Sequence, residues 1–262
     1  MTTSHFFLQY SAPIFLFFAA FLAGALNSVA GGGSFISFPA LLFTHMAPIA
    51  ANATNTAALW PGSFAGAVGF RRDLASVRRW MLLLMIPALA GGATGAILLL
   101  HTSTKTFTQL VPWLILGATL LVASQEIVSR RLNLLSRGHE DPTAGWVVFV
   151  FVFQFLVSVY GGYFGAGMGI LMIAALGLIG MADLHQMNGL KNLLAFGING
   201  IAAIYFAASG AVDWNDAILM AIAAIAGALT GAKLAYLFGR GFVRGAVVVI
   251  GVAMTIALFL KR

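Results

Sequence analysis

Ten apolar runs follow one another from residue 12 to residue 260, and no polar stretch between them is long enough to build a soluble layer. They fall at 12–30, 33–49, 52–70, 81–100, 108–128, 143–162, 166–182, 186–208, 217–238 and 243–260. A helix needs about 20 apolar residues to cross the hydrocarbon core of a bilayer. Charged residues make up only 8% of the chain, against roughly 25% in a soluble domain, so the chain has too little polar surface to cover itself in water. The fold class that follows is an all-α polytopic membrane protein of the cell inner membrane. The second and seventh runs are shorter and broken by glycine. That suits half-helices or re-entrant arms, which a membrane tolerates where they are buried in protein, and it brackets the crossings at eight to ten.

Loop charge orients the segments. Arg71, Arg72, Arg78 and Arg79 share one loop, Arg130, Arg131 and Arg137 a second, and Arg240 and Arg244 a third. All three are expected on the cytoplasmic side. The loop holding Asp213 and Asp216 has no basic residue and is expected outside, as are both termini. Apart from the terminal Arg262, confinement of Arg to these loops makes the net charge of +7 a topology signal and excludes nucleic acid as a partner. The first 13 residues contain no Lys or Arg, whereas a secretory signal begins with positive charge. The run from Pro13 to Ala30 is therefore expected to be retained as a first helix. The chain has no Cys, which excludes disulfides and thiol chemistry, and no cofactor is expected.

The sequence repeats itself without gaps at an offset of 136. Gly31 and Gly33 match Gly167 and Gly169, Asn52 matches Asn188, Phe70 matches Phe206, and Gly91, Thr94 and Gly95 match Gly227, Thr230 and Gly231. The four-Arg loop aligns with the acidic loop around Asp213, and charge places the two on opposite sides. Two inverted repeats of about five hydrophobic segments each are expected: residues 1–130, a cytoplasmic linker at 131–142, and residues 143–262. Inverted repeats with broken helices are a common transporter plan, with the substrate near the midplane between the halves.

Polar residues inside the apolar runs mark the candidate site. Gly31, Gly32, Gly33 and Ser34 precede Asn52, Thr54, Asn55 and Thr56 by about 20 residues; Gly165, Gly167 and Gly169 precede Asn188, Lys191 and Asn192 in the same way. Each half is expected to carry a glycine break and then an Asn-containing break, with Asn52 and Asn188 facing each other across a pseudo-two-fold axis. Freed N–H groups at half-helix starts attract anions, and Asn, Thr and Ser supply neutral hydrogen bonds where there is no water. Asn and Thr in membrane helices also serve simply as interhelical glue, at about 0.6 kcal/mol per contact. Lys191 is the sharper signal. It aligns with the neutral Asn55 and costs roughly 2.5–3.5 kcal/mol to place at mid-membrane. Its alternatives are a substrate-anion contact, a snorkelling side chain, or a partner for a helix C-terminus.

Other residues read as structural. Gly91-x-x-x-Gly95 and Gly227-x-x-x-Gly231 are small-residue packing faces. His45, His185, Glu126 and Asp183 belong at interfaces, Asp213 and Trp214 form an anchor, and Lys233 snorkels. Gly165-x-Gly167-x-Gly169 lacks the strand–helix setting of a nucleotide loop. Ser34, Ser63, His45 and His185 form no cluster with the spacing of an intramembrane enzyme.

With these motifs the chain resembles the TauE/SafE family of sulfite and organosulfonate exporters. The resemblance runs through both halves. It rests on "GGGSFISFPALL", on "ANATNTAALWPGSFAGAVGF" leading into an Arg-rich loop, and on "GGYFGAGMGILMIAAL". Where the family usually has a Pro in the second half, this chain has Ala174-Ala175. The resemblance implies export of a small sulfur-containing anion such as sulfite, sulfoacetate or a related sulfonate. The alternatives are an uptake carrier or a channel for another small anion. The partners implied are that anion and the lipid bilayer, and a homodimer is compatible with the sequence.

Overall fold

The computed structural model describes residues 3–29, 31–136, 144–181, 183–238 and 240–260, and every regular element among them is a helix. The first half holds α1 (Thr3–Val29), α2 (Ser34–Phe43), α3 (Pro48–Gly69), the short α4 (Arg71–Leu74), α5 (Arg78–His101) and α6 (Thr104–Ser136). The second holds α7 (Ala144–Tyr163), α8 (Met168–Leu178), α9 (Leu184–Ala208), α10 (Trp214–Phe238) and α11 (Arg240–Leu260). The side chains of Glu126, Arg130, Arg131, Arg137, Lys233, Arg240 and Arg244 lie outside the described part.

Local chemistry sets several helix starts. Pro48 opens α3, where the missing N–H costs nothing. The Asp183 carboxylate accepts from His185 N and Gln186 N and caps α9. The Asp213 carboxylate does the same for α10 through Asn215 N and Asp216 N. Both Asp side chains thus satisfy amides that the helix itself leaves unpaired.

Six helical stretches among the described residues are long and apolar enough to cross a membrane; they lie in α1, α4–α5, α6, α7, α9 and α10. α3 has 22 residues but is not one of them, because Asn52, Thr54, Asn55 and Thr56 lower its hydropathy. α2 and α8 have 10 and 11 residues, about 15–17 Å at 1.5 Å per residue, or half the bilayer core. These are the two shortened runs. α8 stays helical through Ala174 and Ala175, so the missing Pro introduces no break.

Packing follows the repeat. α1 lies on α10 as α5 lies on α7, α3 lies on α10 as α5 lies on α9, and α3–α9 and α6–α11 pair equivalents with each other. The small-residue faces make the closest of these contacts: a Cβ on Gly95 would strike the Val159 carbonyl, and one on Gly227 the Phe21 carbonyl. α3 and α9 run antiparallel. Phe70 and Leu74, at the far end of α3, touch Gly189 in the first turns of α9, while Thr54 near the start of α3 accepts a bond from Asp213 N beyond the end of α9. The exposed four-Arg loop and the exposed Asp213 loop therefore sit at opposite ends of this pair.

Candidate substrate site

The glycine breaks meet in the middle of the molecule. Gly31 has φ +79° and its equivalent Gly167 has φ +75°, a left-handed backbone that costs other residues about 1–2 kcal/mol. A Cβ on Gly31 would lie 2.6 Å from Gly169 Cα, and one on Gly169 would lie 2.7 Å from Gly31 Cα. The chain therefore needs glycine on both sides of this crossing. It brings the starts of α2 and α8 together beside the α3–α9 pair.

The breaks leave helix ends to be satisfied, since the last carbonyls of a helix have no partner within it and carry its negative pole. At the end of α1, Lys191 Nζ donates to Asn27 O (2.9 Å) and Ser28 O (3.4 Å), and to Asn188 Oδ1 (3.2 Å). Asn192 Nδ2 donates to Ser28 O at 3.0 Å. At the equivalent end of α7, Asn52 Nδ2 donates to Tyr163 O at 3.0 Å. Polar residues of each half thus cap a broken helix of the other. Lys191 is 1% exposed, its three acceptors match the three donors of an ammonium, and no carboxylate pairs with it among the described residues.

A small cavity opens beside Lys191. From α3 it takes Asn55, Thr56, Leu59 and Ser63, and from α9 the equivalents Lys191, Asn192, Ala195 and Asn199. In both helices these positions fall on one face at i, i+1, i+4 and i+8, near mid-helix. Asn27, Gly31, Ser34, Phe164, Gly165, Met168, Gly169 and Met172 close the remaining sides. About 30 Å³ is open to the centre of a water-sized sphere, room for about two waters or one compact oxyanion. Asn55 is held by Ser37 Oγ, which donates to its Oδ1 at 2.5 Å, and itself donates to Ser34 Oγ at 3.3 Å.

Of the residues singled out in the sequence, Gly31, Ser34, Asn55, Thr56, Gly165, Gly169, Lys191 and Asn192 line this cavity, whereas Gly32, Gly33 and Gly167 shape the breaks without lining it. Asn52, Thr54 and Asn188 do other work: Asn52 caps α7, Thr54 ties the loop before α10 (2.9 Å to Asp213 N), and Asn188 accepts from Lys191. The expected Asn-containing breaks are not there, because residues 51–56 and 187–192 are helical. Their side chains bond other helix ends, neighbouring side chains or their own turn, as Thr56 Oγ1 does on Asn52 O, and this needs no unwinding. Asn27, Ser63 and Asn199 also line the cavity and were not anticipated as substrate contacts. The repeat offset holds the signal for two of them, since 63 plus 136 is 199 and both positions are polar.

The chain that forms this cavity has relatives among known proteins. The model of the family described as sulfite exporter TauE/SafE matches residues 16–258. The chain belongs to the TauE/SafE family. A probable membrane transporter protein of Haemophilus influenzae is 29% identical over 249 residues, covering 92% of this chain and 91% of the relative. One from a Sinorhizobium species is 29% identical over 255 residues, covering 96% and 94%. The probable membrane transporter protein YfcA of Escherichia coli is 27% identical over 246 residues, covering 93% and 88%. No solved structure matches the chain. The match to the TauE/SafE model spans both halves, including every residue of the cavity.

Proposed function

We propose that this TauE/SafE family member, a multi-pass membrane transporter and not an enzyme, carries sulfite or a compact sulfonate out of the cell through the cavity between α3 and α9. The observation that carries the reading is Lys191: a basic side chain 1% exposed, without a carboxylate partner among the described residues, lining a polar cavity at mid-helix. Placing a charge there costs several kcal/mol; the carbonyl end of α1 offsets part of it, and an anionic substrate supplies a full countercharge. The starts of α2 and α8 add the positive ends of two half-helices. The pairwise packing of equivalent helices, and the opposite placement of the Arg and Asp213 loops, support two inverted repeats of residues 1–130 and 143–262 in the inner membrane, with the cytoplasmic linker 131–142 between them. The membrane potential, negative inside, favours outward anion movement by about 2.3 kcal/mol per charge per 100 mV.

Inside-out vesicles loaded with the protein test this directly. Labelled sulfite should accumulate in them well above protein-free vesicles, and Lys191→Met should reduce uptake at least tenfold at equal membrane content. Equal uptake by parent and Lys191→Met vesicles refutes the assignment of the cavity.

A further inference from the structure

The cavity contains one lysine and seven uncommitted side-chain hydrogen-bond donors, and together these set the charge of what it accepts. The inference rests on reading this cavity as the substrate site. All three Lys191 donors are already engaged, by Asn27 O, Ser28 O and Asn188 Oδ1. Lys191 therefore acts on a ligand through its field, which the carbonyl end of α1 weakens and the partial positive ends of α2 and α8 reinforce. The neutral side chains are also largely turned away. The Thr56 hydroxyl donates to Asn52 O and the Ser63 hydroxyl to Leu59 O. One Asn192 amide N–H goes to Ser28 O and one of Asn55 to Ser34 Oγ. The Asn27 and Asn199 amides, the Ser34 hydroxyl and the second N–H of Asn55 and of Asn192 remain for a ligand.

An anion entering this site exchanges its hydration shell for those neutral donors. The cost of leaving water grows with the square of the charge, whereas attraction to one fixed cation grows only linearly. From a monoanion to a dianion of equal size, the attraction doubles and the desolvation cost quadruples. We infer that the cavity binds monovalent oxyanions and discriminates against dianions of the same size and shape. The transported form of sulfite is then the singly protonated one. Sulfonates bearing a second acid group, sulfoacetate among them, are excluded.

Calorimetry on the purified chain in lipid nanodiscs tests the rule with fixed-charge pairs. Methanesulfonate and sulfate differ by a methyl in place of one oxygen; chlorate and fully deprotonated sulfite are a pyramidal pair. The monoanion of each pair should bind at least tenfold tighter, and Lys191→Met should weaken methanesulfonate at least tenfold. Asn55→Lys adds a second cation at the equivalent position and should narrow or invert the preference; the parent measurement decides alone if that variant does not fold. Sulfate binding as tightly as methanesulfonate overturns the charge rule, as does a preference that survives Lys191→Met unchanged. Binding of neither ligand by a protein that still moves labelled sulfite overturns the rule and leaves the transport reading standing. Binding of neither, with no sulfite movement, removes both.

Discussion

The crossing of the two glycine breaks predicts a specific pattern of stability loss. Gly31→Ala places a Cβ 2.6 Å from Gly169 Cα on a backbone at φ +79°. The left-handed conformation costs about 1–2 kcal/mol for a residue with a Cβ. Forcing one carbon into a packed backbone contact adds about 1–3 kcal/mol. The sum is a destabilisation of roughly 2–5 kcal/mol. Gly169→Ala makes the reciprocal collision, 2.7 Å from Gly31 Cα, without the left-handed φ. It should cost only the packing share, about 1–3 kcal/mol. Because both changes spread the same contact, the double variant should lose less than the sum of the singles. Denaturant unfolding in mixed micelles, followed by Trp fluorescence, measures all three. A Gly31→Ala protein within about 0.5 kcal/mol of the parent, the range of an ordinary surface change, would show that the halves do not meet here.

Two further experiments probe the frame around the site. With no native Cys, single cysteines at Ala75, within the four-Arg loop, and at Ala211, before α10, should react with impermeant reagents from opposite sides of the membrane; labelling from one side sinks the inverted arrangement. Asn52→Leu removes the donor that Tyr163 O relies on and should lower stability by about 1–3 kcal/mol. Because Asn52 does not line the cavity, methanesulfonate affinity of the folded variant should stay within twofold of the parent; a tenfold loss would give Asn52 a direct role in binding.

Much of the fold was legible because bilayer physics leaves few options. Each apolar run became a helix, and the shortened second and seventh runs became α2 and α8, since glycine and run length both carry that information. Lys191 stood out because a charge in an apolar run has to be explained by a partner. Its neighbourhood was not legible: nothing local in the sequence says that Lys191 reaches Asn27 O, 164 residues away. The same gap explains Asn52 and Asn188. An Asn in an apolar run looks alike whether it faces a substrate or caps a helix from the other half, and only tertiary packing separates the two. Ser63, weighed only as an enzyme residue, and Asn199 failed to stand out as substrate contacts for the opposite reason. Each is unremarkable alone, and their significance lies in occupying equivalent positions on the α3–α9 faces.

The most direct measurement of whether this cavity is the transport route uses Ser63, which lines it from α3. Ser63→Cys changes one atom in a chain without other thiols. After modification by N-ethylmaleimide and washing, with mass spectrometry confirming complete reaction, movement of labelled sulfite should fall to the level of protein-free vesicles, and methanesulfonate present during the reaction should slow the modification. Full transport by fully modified protein would contradict the cavity as the path of the anion.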